Sequence, residues 1–204
     1  MSLKIIENVA NEIIKNKDYL TDLDREIGDG DHGVNLSRGF EKVLESMNDL
    51  NGKTPSEIMM KIAMILMSNV GGASGAIYST AFLKAGQFLK DKPTELTPEL
   101  ISETWKQMIE GIQSRGNAKL GEKTLLDVQI PAFEAFESAI KSGKNLKESF
   151  GEATKIAEKA MNNTKDIVAT KGRASYLGER SKGHIDPGSA SSYLIIKTIY
   201  ESIS

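Results

Sequence analysis

The stretch Thr54-Pro55-Ser56-Glu57-Ile58-Met59-Met60-Lys61-Ile62-Ala63-Met64-Ile65-Leu66-Met67-Ser68-Asn69 decides the fold class. Thr54 offers the hydroxyl of an N-cap. Pro55 suits the first helical position, where its missing N–H has no partner to lose, and Glu57 can reach back to close a capping box. Behind that start, Ile58, Met59, Ile62, Met64, Ile65 and Leu66 leave little polar face, so residues 56–69 read as a central, buried helix. The same three- and four-residue spacing continues outward. Leu3, Ile6, Val9, Ile13, Ile14 and Tyr19 make one stripe over residues 3–20, and Leu36, Phe40, Val43, Leu44 and Met47 another over 35–48. Helices are expected again at about 75–90, at 98–113 behind Thr97-Pro98, and at about 125–141, 146–169 and 188–203. The β-branched pair Ile195-Ile196 falls inside such a pattern, and no segment reads as a strand. The expectation is an all-α protein, a barrel or bundle of eight antiparallel helices, because short connections favour antiparallel neighbours. No repeat or long linker divides the chain, so residues 1–204 read as a single domain.

Composition narrows the function. With 39% apolar and 26% charged residues over 204 positions, the chain can bury a core without a disulfide or structural metal. It has no cysteine, which excludes a disulfide scaffold, a thiolate zinc or iron–sulfur site and a cysteine nucleophile. Lys plus Arg is 26 and Asp plus Glu is 28, a net charge of −2, so there is no basic footprint for nucleic acid or a membrane surface. The longest wholly apolar run, Ile62 to Met67, falls far short of the ~20 residues that cross a bilayer. Lys4, Glu7, Asn8 and Asn11 interrupt the N-terminal segment, so it lacks a signal-peptide core. A cytoplasmic protein with no nucleic-acid or membrane partner is expected.

Three connections carry the chemistry. Residues 22–33, Asp-Leu-Asp-Arg-Glu-Ile-Gly-Asp-Gly-Asp-His-Gly, hold five acids and one base. A solvated charge run is one reading. The other is that Gly28, Gly30 and Gly33 let the backbone turn and gather Asp24, Asp29 and Asp31. Gathered carboxylates repel one another, and a hard divalent cation such as Mg²⁺ relieves them, taking a few carboxylates together with substrate phosphates. An EF-hand loop beginning at Asp29 is excluded, because its required glycine and glutamate would fall on Val34 and Phe40. His32 follows directly and reads equally as bystander, metal ligand, phosphate contact or phosphorylated carrier. Gly71-Gly72-Ala73-Ser74-Gly75 separates two apolar helices. It serves either as a cap-to-cap turn or as a helix N-terminus whose amides accept phosphate, and it is not a Walker A loop. Residues 171–189 bring Lys171, Arg173, Arg180 and Lys182 against the single acid Glu179, in a long loop ahead of the last helix. Asp186 reads as that helix's N-cap, with Pro187 at its first position. An acid loop, glycine turns and a basic lid are the parts that phosphoryl transfer requires.

Together these motifs resemble the nucleotide-binding L subunit of dihydroxyacetone kinase, which is also the C-terminal domain of single-chain dihydroxyacetone kinases. The stretches that carry the resemblance are Leu-Asp-Arg-Glu-Ile-Gly-Asp-Gly-Asp-His-Gly (23–33), Val-Gly-Gly-Ala-Ser-Gly (70–75), Lys-Gly-Arg-Ala-Ser-Tyr-Leu-Gly-Glu-Arg (171–180) and Gly-His-Ile-Asp-Pro-Gly (183–188). The resemblance implies a barrel of eight antiparallel helices with ADP or ATP and Mg²⁺ at one end. It puts the metal ligands on Asp24, Asp29 and Asp31. Nucleotide contacts fall on His32, Gly33, Val34 and Asn35, on Ala73 and Ser74, on Gly116, Leu125 and Arg173, and on Asp186, Pro187 and Gly188. Arg173 is also the residue expected to serve the transfer itself. His32 is expected to touch phosphate without carrying a phosphoryl group. The implied partners are a K subunit that holds the substrate dihydroxyacetone and a phosphohistidine M subunit of the phosphotransferase system that recharges bound ADP. The chain has the size of a stand-alone L subunit, which favours that mode. A directly ATP-dependent kinase subunit and a non-catalytic Mg-nucleotide-binding regulator are the alternatives.

Overall fold

The computed structural model describes residues 3–203. Its helices are α1 (Leu3–Lys15), α2 (Lys17–Ile27), α3 (His32–Glu45), α4 (Met47–Leu50), α5 (Pro55–Asn69), α6 (Gly72–Leu89), α7 (Pro98–Gly116), α8 (Leu126–Lys141), α9 (Leu146–Asn163) and α10 (Pro187–Ser202). Two 3₁₀ segments, Thr164–Asp166 and Arg173–Ser181, lie between the last two, and no strand occurs among the described residues. The packing runs in a circuit: α1 on α3, α3 on α5, then α5 through α10 in order, and α10 back on α1. Helix α2 packs across α3 and α10. Apolar side chains such as Ile13, Leu36, Phe40, Leu66, Leu126 and Phe136 fill the centre, each 2% exposed or less. Trp105 stacks on Phe150 at 5.9 Å, and its indole N–H donates to Gln129 Oε1 at 2.7 Å, which satisfies its polar edge inside the core.

The all-helical architecture agrees with the sequence; the described residues form ten α-helices, eight of them in the circuit and α2 and α4 outside it. The stripe over residues 3–20 breaks at Asn16, whose Nδ2 donates to the Glu12 carbonyl and to Glu12 Oε1 and so competes with the helix ladder. The helix then resumes as α2 and runs to Ile27, which takes Asp22–Ile27 out of the expected loop. α9 stops at Asn163, and the expected loop 171–189 contains a 3₁₀ segment broken at Gly178, where φ is +56°. The capping box ahead of α5 forms as expected: Thr54 Oγ1 accepts from the Glu57 N–H and Glu57 accepts from the Thr54 N–H. α5 itself is a wall helix, not a central one. Ile58, Ile62, Ala63 and Leu66 face inward, while Met64 and Met67 are 58% and 61% exposed. A closed circuit of helices gives every member an outward face, and methionine, being unbranched, tolerates it.

One end of the barrel collects the N-termini of α3, α6, α8 and α10 and the C-termini of α2 and α7 around a single cleft. Neighbours in the circuit therefore alternate in direction there. No described helix is long and apolar enough to cross a membrane.

Candidate functional site

Asp24 stands in the last turn of α2 and is 8% exposed. Its Oδ2 accepts the main-chain N–H of Asp31 at 2.8 Å and of His32 at 3.1 Å, which folds the acidic turn back onto the helix. The fold-back needs glycine at position 28, where a Cβ would come within 2.0 Å of Asp24 Oδ1, and at position 30, where φ is +71°. Asp29 and Asp31 return over the helix end as a result. One carboxylate oxygen from each of Asp24, Asp29 and Asp31 lies within 4.8 Å of the other two. Three hard oxygens at that spacing fit a divalent cation that keeps its remaining positions for water or phosphate. The other two acids of the segment stay outside the cluster: Asp22 pairs with Arg25, and Glu26 faces His184 Nδ1 at 3.6 Å.

The opposite wall is made of helix N-termini. At α6 the chain turns through Gly72, with φ of +65°, and Gly75 lies so close to Val70 that a Cβ would meet its carbonyl oxygen at 2.0 Å. Ala73 and Ser74 then face the cleft. At α10, Asp186 Oδ2 caps the helix by accepting the Ser189 N–H at 2.6 Å, and Pro187 and Gly188 follow. Unpaired amides and the positive ends of the helix dipoles point at one space from both sides, which suits an anion. Burial pushes the Asp186 carboxyl up to about 7, against its cap bond to Ser189 and the pull of Lys123. His32 is also buried. Its Nδ1 lies 2.9 Å from Ser74 Oγ and its Nε2 3.0 Å from Ser191 Oγ, and burial lowers it to about 4 despite the Asp24 carboxylate, so the ring is neutral.

The third side is the basic segment. Arg173 Nε sits 2.8 Å from Asp29 Oδ2, closing the cleft from the 3₁₀ turn, and Lys171 lines it beside Arg173. The cleft, open on one side to solvent, has a volume of about 270 Å³.

Of the residues singled out in the sequence, Asp24, Asp29, Asp31, His32, Ala73, Ser74, Gly116, Leu125, Arg173, Asp186, Pro187 and Gly188 line this cleft. Gly33, Val34 and Asn35 stand beside it. Gly33 is the contact of α3 with α2, where a Cβ would meet the Lys17 carbonyl at 2.0 Å; Val34 is 41% exposed; Asn35 Oδ1 accepts from Arg38 Nη2 at 2.9 Å. Sequence reasoning missed Lys123 and Asp127. Lys123 has φ of +60° and is 1% exposed, and its ammonium donates to the carbonyls of Thr164 and His184, both at 2.6 Å. Burial holds its pKa below the usual lysine range. Asp127 accepts from the N–H groups of Gly121 and Thr124, shaping the turn ahead of α8. Its spacing after Thr124, at the start of an apolar run, was the one local signal available.

The DAK2 domain pattern matches residues 26–201. This chain belongs to the DAK2 domain family. Among its relatives, the PEP-dependent dihydroxyacetone kinase ADP-binding subunit DhaL of Escherichia coli (strain K12) is 42% identical over 174 residues, covering 85% of this chain and 82% of its own length. The PTS-dependent dihydroxyacetone kinase ADP-binding subunit DhaL of Lactococcus lactis is 42% identical over 193 residues, covering 95% and 92%. The DAK2 domain here also superposes on the dihydroxyacetone kinase of C. freundii. The TM-score is 0.78 at 22% identity for the native form, and 0.74 at 23% for the complex with AMP-PNP and Mg²⁺. Each match covers 98% of this chain and about a third of that longer chain, and at such identity the likeness shows the fold.

Proposed function

We propose that this DAK2 domain is the ADP-binding subunit of a phosphoenolpyruvate-dependent dihydroxyacetone kinase. It holds ADP or ATP with Mg²⁺ and passes a phosphoryl group to dihydroxyacetone bound on a separate K subunit, and a phosphohistidine M subunit recharges the ADP. The observation that carries this reading is the apposition of three carboxylates with the N-termini of α6 and α10 across one cleft. The 42% identity to two such subunits over most of both lengths supports it.

Asp24, Asp29 and Asp31 would hold the cation, whose chemistry is to neutralise phosphate charge in the ground and transition states. The main-chain N–H groups at Ala73, Ser74 and Gly188 bind phosphate oxygens without adding a counter-charge. Gly116 and Leu125 leave room for the rest of the nucleotide at the ends of α7 and α8. Arg173 brings a planar cation to the cleft mouth, where charge on a transferring group is greatest. Neutral His32, with both ring nitrogens engaged by serines, orients the wall and carries no phosphoryl group.

The test is a titration of nucleotide-stripped protein with ADP, with and without Mg²⁺, followed by turnover with K and M subunits and phosphoenolpyruvate. Metal-dependent binding together with phosphoenolpyruvate-driven product supports the proposal. Turnover with ATP alone would move the chain to the directly ATP-dependent type, and binding without any turnover would make it a regulator.

A further inference from the structure

Four side chains form a continuous hydrogen-bonded row behind the anion-facing wall. The Tyr78 hydroxyl lies 2.8 Å from Ser191 Oγ, Ser191 Oγ lies 3.0 Å from His32 Nε2, and His32 Nδ1 lies 2.9 Å from Ser74 Oγ. Tyr78 and Ser74 belong to α6, His32 to α3 and Ser191 to α10, so the row ties three helices together where their ends meet the cleft. Ser191 is fully buried, Tyr78 and His32 show only a small edge to the cleft that they line, and Ser74 is the half-buried member of the row. Ser189, on the same turn of α10, bonds instead to the Thr124 carbonyl, so the link to the histidine belongs to Ser191.

The protons along the row follow from what each partner can give. Ser191 Oγ also donates to the Gly188 carbonyl at 3.0 Å, an acceptor with no proton of its own. A Ser191 proton kept on that carbonyl leaves the serine lone pairs to receive the Tyr78 O–H and the His32 Nε2–H. The buried ring has an uncharged serine hydroxyl at each nitrogen and a carboxylate at neither, which favours a single ring proton; with that proton on Nε2, Nδ1 is bare and accepts the hydroxyl proton of Ser74. The Ser74 hydroxyl is thereby turned onto the ring, and its main-chain N–H at the start of α6 is left for an anionic ligand.

We propose that Ser191, backed by Tyr78, is a positioning residue of the nucleotide site, setting the tautomer of His32 and through it the direction of Ser74. The inference rests on the reading of the cleft as a Mg–nucleotide site. A merely structural hydroxyl on α10 would need no relation to Ser74, whereas the row makes the two sites depend on each other.

Two measurements test it. The chain has only two histidines, so a ¹⁵N–¹H imidazole spectrum at pH 7.5, with His184→Gln to identify the other ring, reads the tautomer of His32 directly. Wild type is expected to be Nε2-protonated. Ser191→Ala removes the acceptor and is expected to switch the ring to the Nδ1-protonated form, which now donates to Ser74. In the second measurement, Ser191→Ala weakens ADP binding in saturating Mg²⁺ by about fivefold, the scale of one neutral hydrogen bond, and adds no further loss in a Ser74→Ala background. Tyr78→Phe, which keeps the ring, retains the tautomer and loses about twofold. An Nδ1-protonated wild type, unchanged affinity in Ser191→Ala, or losses that add with Ser74→Ala would each overturn the proposal. If Ser191→Ala fails to fold, the wild-type spectrum and the binding of Tyr78→Phe decide it. Wild-type protein that binds no Mg–ADP would instead overturn the functional reading, and the spectrum would still decide the row.

Discussion

Arg173 Nε and Asp29 Oδ2 meet at 2.8 Å, so the basic 3₁₀ segment is tethered to the same carboxylate cluster that gathers at the end of α2. Both side chains are well exposed, at 67% and 37%, and an ion pair in that setting is worth under about 1 kcal/mol. The tether therefore contributes little to folding. Arg173→Lys keeps the charge and loses the planar fork, so turnover with partner subunits should fall by ~10³-fold or more. The melting temperature of the nucleotide-free protein should stay within about 2 °C of wild type. Kinetics and calorimetry on the one variant check this. A large drop in melting temperature with modest kinetic damage would make Arg173 a structural strut.

The carboxylates of the cluster differ in what else they do. Asp29 has no main-chain partner to hold, whereas Asp24 accepts two N–H groups and fixes the turn. Asp29→Ala should abolish the Mg²⁺ dependence of ADP binding and leave the apo protein as stable as wild type. Asp24→Ala should lose that dependence and also cost about 1–3 kcal/mol of stability, because it strands the buried His32 N–H and frees the half-buried Asp31 N–H. Titration calorimetry with and without Mg²⁺, alongside urea unfolding, separates the two. Equal stability loss in both variants would refute the division of roles.

Local signals were readable where the partner lies within a turn. Thr54 with Glu57, and Asp186 with Ser189, cap their helices through three-residue spacing, and both appear in the structure as the sequence suggests. The three aspartates were readable because glycines separate them and allow the backbone to double back. What stayed hidden depends on distant partners. Lys123 is buried because its acceptors are carbonyls 41 and 61 residues further on, and nothing around it marks a lysine for the interior. The His32–Ser191 contact spans 159 residues. Asp22–Ile27 was read as loop because its charges hid the helical register that Leu20, Asp24 and Ile27 keep on the buried side of α2.

Gly33 tests whether that part of the motif acts through binding or through packing. A Cβ there would sit 2.0 Å from the Lys17 carbonyl oxygen and 2.7 Å from the Thr21 main-chain nitrogen, and neither backbone can yield without parting α2 from α3. Gly33→Ala is expected to destabilise the nucleotide-free protein by about 2 kcal/mol or more, the scale of overpacking in a close helix contact. Urea unfolding of the apo protein measures it. A variant as stable as wild type that binds ADP poorly would return Gly33 to the ligand.

Asp186 gives the stability of the apo protein a distinctive pH dependence. Burial is the main cause that raises its carboxyl from 3.8 to about 7, with Asp127 adding to the rise and the Ser189 bonds and Lys123 opposing it. Because the folded value is raised, the folded state holds the proton more tightly than the unfolded chain. Below about pH 4 both states are protonated and the group costs nothing. Between about pH 4 and 7 the unfolded chain gives up its proton and the folded state does not, so stability falls as pH rises. Above about pH 7 the penalty is constant and of order 4 kcal/mol. Asp186→Asn cannot ionise, and its amide oxygen can still accept the Ser189 N–H, so the cap survives. In nucleotide-free protein with chelator present, the variant's advantage over wild type should be smallest at the acid end near pH 4, grow as pH rises towards 7, and amount to several degrees at pH 8. Subtracting the two melting curves cancels the titration of every other group. A difference that stays flat from pH 5 to 8.5 would mean that Asp186 is already ionised in the folded protein at the acid end, with the Lys123 ammonium outweighing burial. A variant less stable at every pH would mean that the cap needs the full charge of the carboxylate.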